Sequence, residues 1–90
     1  MNTIFQTLVY QREKKHDTVL ATIIWDDGSA PRGAGSQMLV GRNGLLAGTI
    51  GGGAVEGQSI ATAQEMLAGG VRSKTRELRL RRDGSAQSTG

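Results

Sequence analysis

The sequence predicts a small α/β (α+β) domain: a mixed or antiparallel sheet of about four strands flanked by two helices, in the order α-β-β-β-α-β. Three observations predict it. Thr18–Trp25 is rich in β-branched residues and apolar on both faces, the profile of a strand covered on two sides. Asn43-Gly44 stands between two apolar runs, a strong short-range hairpin signal. Gly51-Gly52-Gly53 opens a stretch whose apolar residues recur at helical spacing.

The elements follow in order. Asn2 or Thr3 can cap a first helix, in which Ile4, Phe5, Leu8 and Val9 form one apolar stripe through about Lys15. The first strand follows at Thr18–Trp25, with Val19, Ala21, Ile23 and Trp25 on one face and Leu20 and Ile24 on the other. Asp26-Asp27-Gly28-Ser29 ends it, and Pro31 cannot donate a ladder hydrogen bond. Gln37–Arg42 and Leu45–Ile50 read as an antiparallel pair around a type I′ turn centred on Asn43-Gly44, where both residues tolerate positive φ. The second helix runs from about Ala54 to Ala68, with Val55, Ile60, Ala63 and Leu67 facing inward, and Gly69-Gly70 ends it. Ser73–Arg82 alternates around Leu78 and Leu80 as the last strand, and the tail after Asp83 has nothing to bury.

Length and composition limit the function classes. Ninety residues make one domain with a thin core, burying only about 60–65% of its unfolded surface. A second copy of the chain, or further sequence, would add to that core. No apolar run is long enough to span a bilayer. The chain has no cysteine, so disulfides, thiol nucleophiles and zinc fingers are excluded, and a reducing cytoplasm suits it. His16 has no ligand partners nearby, so no metal site is expected. The net charge of +3 concentrates in Arg72, Lys74, Arg76, Arg79, Arg81 and Arg82, against Glu77 and Asp83. That segment could contact nucleic acid, but it holds no aromatic residue to stack on bases. An exposed, charge-protected strand is the plainer reading.

Ten of the fourteen glycines lie between Gly28 and Gly57. The unit GTIGGGAVEG, Gly48 to Gly57, has the form strand–glycine loop–helix. Consecutive glycines and the unpaired N–H groups of a first helical turn suit a phosphate or pyrophosphate. Equally, the glycines could serve only to let helix and sheet approach closely. Gly51, Gly53 and Gly57 form a loosened dinucleotide fingerprint, but the strand before them belongs to a hairpin rather than a βαβ unit. Gly28-Ser29-Ala30-Pro31-Arg32 is a second loop, offering a hydroxyl and a guanidinium suited to phosphate or carboxylate; a plain inter-strand loop is the alternative. Asp26, Asp27 and Glu56 show no spacing that sets two carboxylates across a reacting group, so no catalytic residues are expected.

Together GSAPRGAGSQMLV and GTIGGGAVEG resemble the XdhC/CoxI family, accessory proteins of xanthine dehydrogenase and related molybdenum hydroxylases. Gly28, Ser29, Pro31, Arg32, Gly35 and Met38 match the family's first motif, and Gly48 through Gly53 with Glu56 match its second. The resemblance covers most of residues 18 to 82. It implies a non-enzymatic factor that binds molybdenum cofactor, as molybdopterin or its dinucleotide form. Such a factor assists the cofactor's sulfuration with a cysteine desulfurase and delivers it to the hydroxylase. Ser29, Arg32, Gly51, Gly52, Gly53 and Glu56 are the expected cofactor contacts. In that set the glycines donate N–H groups, Arg32 pairs with phosphate, and Glu56 orients the loop or a polar pterin edge.

Two departures stand out. Many members carry cysteine two residues before the motif glutamate, where this chain has Ala54. Full-length members also continue into a cysteine-containing segment and a Rossmann-like domain, so residues 1–90 read as one domain of a longer protein. Two other classes remain in view on the residues alone. One is a nucleotide-binding enzyme domain using Gly51–Gly53 as a phosphate cradle. The other is a basic nucleic-acid-binding or plain interaction module.

Overall fold

The computed structural model describes residues 3–24, 33–70, 78–80 and 86–88. Helix α1 spans Thr3–Glu13, strands β1 Val19–Thr22, β2 Gln37–Gly41 and β3 Gly44–Gly48 follow, and helix α2 spans Gly53–Gly69. β1, β2 and β3 form one antiparallel sheet in that spatial order, and the two helices flank it. The sheet is therefore antiparallel throughout, with three strands rather than four.

The expected last strand survives as β4, Leu78–Leu80, but it does not join the main sheet. It pairs instead with β5, Ala86–Ser88, as a separate two-stranded ribbon. β5 lies in the tail after Asp83, where the sequence pattern places no element. Alternating Leu78 and Leu80 disclosed a strand, but alternation does not name the partner. Trp25 and Ser73 to Glu77, and Arg81 to Asp83, lie outside the described residues.

The core lies between the sheet and α2. Met38, Val40, Ile50 and Ala63 are buried there, with Val19, Ala21, Ile23, Val55 and Ile60 packed around them. α2 buries Ala63 and Met66, so Met66 joins the stripe that spacing assigned to Val55, Ile60, Ala63 and Leu67. On the opposite face α1 lies over β3 and β2, where Leu39 and Ala47 are buried. α1 itself buries no residue fully, and Phe5 and Val9 of its expected stripe are exposed.

β1 is an edge strand, not the two-side-covered one its composition suggested. Val19, Ala21 and Ile23 face α2, whereas Leu20 is 48% and Ile24 66% exposed. The reason is the placement of α1, which covers the far side of its face and leaves β1 uncovered.

The hairpin forms, but its centre is one residue earlier than Asn43-Gly44. Gly41 pairs with Gly44, leaving Arg42 and Asn43 in the turn, and the register shifts between Leu39 and Val40. Among the described residues Lys15 is the only non-glycine with positive φ, so Asn43 is not in the left-handed conformation that a type I′ turn needs. The bulge absorbs the offset. Gln64 Nε2 donates to Arg42 O at 3.2 Å, tying α2 to this turn.

Candidate functional site

The junction between β3 and α2 is built from Gly48 to Glu56. At its start Gly48 has φ of 79°, and a Cβ there would lie 2.5 Å from Gln37 O and 2.8 Å from Ile4 Cδ1. Only glycine lets the end of β3 pass between α1 and β2. Gly52, the N-cap of α2, has φ 74° and ψ −170°, a region essentially restricted to glycine. Around Gly51, Gly52 and Gly53 an added Cβ would meet none of the described residues within 4 Å. These three are therefore glycine for backbone shape, and no described residue crowds them.

Glu56 holds this shape. Its Oε1 accepts the Thr49 hydroxyl at 2.5 Å and the Ile50 N–H at 3.1 Å. Thr49 Oγ1 in turn accepts the Gly51 N–H at 3.1 Å. The side chain comes from the first turn of α2 and reaches back across the loop, so one carboxylate fixes three successive loop residues. These contacts hold the Glu56 carboxyl below its usual range: the Thr49 hydroxyl does most, the Ile50 N–H next, and partial burial opposes them. The Gly52 N–H adds a smaller effect in the same direction. An ionised carboxylate at a helix N-terminus is also favoured by the helix dipole.

Of the six expected contacts, the structure brings together Gly51, Gly52, Gly53 and Glu56. Ser29 and Arg32 lie outside the described residues, as does the whole Gly28–Arg32 loop. Thr49 was not among the expected contacts, although its hydroxyl is the central atom of the network. Its signal was the spacing T-x₆-E across a glycine loop, which places a hydroxyl before the loop and a carboxylate after it.

Elsewhere, a cavity of about 460 Å³ lies between the end of α1 and the hairpin turn, lined in part by Lys15, His16 and Arg42. It contains none of the six expected contacts. Among the described residues no cluster of three or more His, Asp or Glu is placed to hold a metal ion. Nor is any described helix long and apolar enough to cross a membrane.

Fold and junction together define a small α+β domain organised around a carboxylate-held glycine loop. The XdhC and CoxI family profile matches residues 11–79, and the chain belongs to that family. Membership implies an accessory factor in the maturation of molybdenum hydroxylases, and such family proteins are generally non-catalytic chaperones. No curated protein and no solved structure matches the chain. Molybdenum cofactor combines a planar pterin edge, bearing N–H groups, with a phosphate. An open loop beside an accepting carboxylate fits the former.

Proposed function

We propose that this chain binds molybdenum cofactor, as molybdopterin or its dinucleotide form, and assists its insertion into a molybdenum hydroxylase of the xanthine dehydrogenase type. The observation that carries the reading is a family match over residues 11–79 that contains a glycine loop hydrogen-bonded to Glu56. Gly51, Gly52 and Gly53 shape the contact surface, and the backbone N–H groups opening α2 add donors. Glu56 keeps the loop in place and offers carboxylate oxygen to the N–H edge of the pterin. Arg32 pairs with the phosphate and Ser29 supplies a hydroxyl. Once delivered, the cofactor supplies the redox chemistry of the recipient enzyme; this chain's residues only hold and release it. A cysteine desulfurase is the second expected partner, and the cytoplasm the expected place.

Retention of molybdopterin tests this reading. The purified chain is mixed with the cofactor, passed through a desalting column, and the retained pterin measured by fluorescence after oxidation. Stoichiometric retention is expected, and Arg32→Ala should weaken it roughly tenfold, as for loss of one charge-assisted contact. Retention no greater than by an unrelated protein would end the proposal.

A further inference from the structure

We infer that Glu56 is a charge filter: its carboxylate occupies the place in the glycine loop that an anion would take, and so turns phosphate away from it. The inference deepens the proposed cofactor site and rests on that reading only for the identity of the ligand. A glycine loop before a helix ordinarily attracts phosphate because its N–H groups point into one concavity. Here the first of those donors, ahead of the N–H groups that open α2, are engaged from within. Glu56 Oε1 accepts the Ile50 N–H, and Thr49 Oγ1 accepts the Gly51 N–H while its own hydroxyl donates a hydrogen bond to that same Glu56 oxygen. Thr49 has a single hydroxyl proton, and it goes to Glu56. The carboxylate is thereby held as an acceptor, ionised, and kept so by the contacts that depress its pKa.

An entering phosphate would meet a fixed negative charge and find the first donors of the loop taken. A ligand edge bearing N–H groups meets the opposite situation: an ionised carboxylate, which only accepts hydrogen bonds. Any phosphate on the ligand must then lie outside the loop. This also separates the site from a nucleotide cradle, in which the loop N–H groups hold the phosphates directly.

The test is a titration of the ¹⁵N-labelled chain with inorganic pyrophosphate, following the backbone amide signals of Ile50 to Val55. In the wild type these signals should stay in place. In Glu56→Gln they should shift, with pyrophosphate bound roughly tenfold or more tightly. Glu65→Gln removes an exposed charge from the same helix and should behave as wild type, which separates a filter from net charge. Should Glu56→Gln fail to fold, Thr49→Val leaves the carboxylate in the chain but removes its strongest restraint, and should admit pyrophosphate to an intermediate degree. Shifts of equal size in wild type and variant would overturn the inference, as would folded variants that bind no better than wild type. Failure of the cofactor reading shows separately, as absent molybdopterin retention by the wild type whatever pyrophosphate does.

Discussion

Gly48 and Gly52 stand four residues apart in one connection, yet they are glycine for different reasons. Gly48 is enclosed: a side chain there would strike Gln37 and Ile4. Gly52 is uncrowded: a side chain would meet none of the described residues, but the backbone conformation excludes one. The first locks the loop's base to the sheet and to α1, and the second shapes the surface a ligand meets. A glycine held by crowding reports on packing, whereas one held only by backbone shape reports on the path of the chain, as Gly70 does at the end of α2.

Substitutions can break that contrast. The largest effect is expected for Gly48→Ala, which combines overpacking with an unfavourable positive φ and should cost about 2–4 kcal/mol. In thermal unfolding this would lower Tm by at least about 10 °C for a domain of this size. Gly52→Ala carries only the backbone penalty, about 1–3 kcal/mol, and chemical denaturation should give it a clearly smaller loss than Gly48→Ala. Equal losses would remove the distinction between the two positions. Gly57, one helical turn further on, sharpens it from the other side. It lies within α2 at an unstrained φ, with open space where a Cβ would go. Gly57→Ala should therefore stabilise the fold, by roughly 0.5–1 kcal/mol.

The smallest effect expected is a pH dependence arising from Glu56. Its carboxyl is held below the ordinary value of 4.5, first by the Thr49 hydroxyl and then by the Ile50 N–H. A depressed native pKa adds stability that is complete above the unfolded value and disappears as pH falls through the native one. The Tm advantage of wild type over Glu56→Gln should accordingly be present at pH 6 and shrink below about pH 4.5. An advantage that grew on acidification would contradict the hydrogen-bonded carboxylate.

Much of this architecture is legible in the chain. Asn43-Gly44 disclosed the hairpin because turn residues act locally, but the bulge beside Val40 moved its centre, and a bulge leaves no local signature. The β-branched run at Thr18–Trp25 disclosed a strand, yet its exposure depends on where α1 docks, a tertiary fact that composition does not carry. Leu78 and Leu80 disclosed β4 but not its partner at Ala86–Ser88. At the β3–α2 junction, the glycines opening the helix and Glu56 in its first turn are legible from the motif alone. Thr49 was not, because a hydroxyl at a strand end has many ordinary roles, and only the fold brings it to 2.5 Å from Glu56.

We propose that the Gly51–Glu56 loop is the part of this XdhC and CoxI family member that contacts molybdenum cofactor. Molybdopterin retention by Gly52→Ala and Gly57→Ala, each measured against wild type at a temperature where both variants are folded, tests it most directly. The account expects Gly57→Ala to retain the cofactor like wild type and Gly52→Ala to lose roughly tenfold or more in affinity. Equal retention by the two variants would place cofactor binding elsewhere and contradict the account.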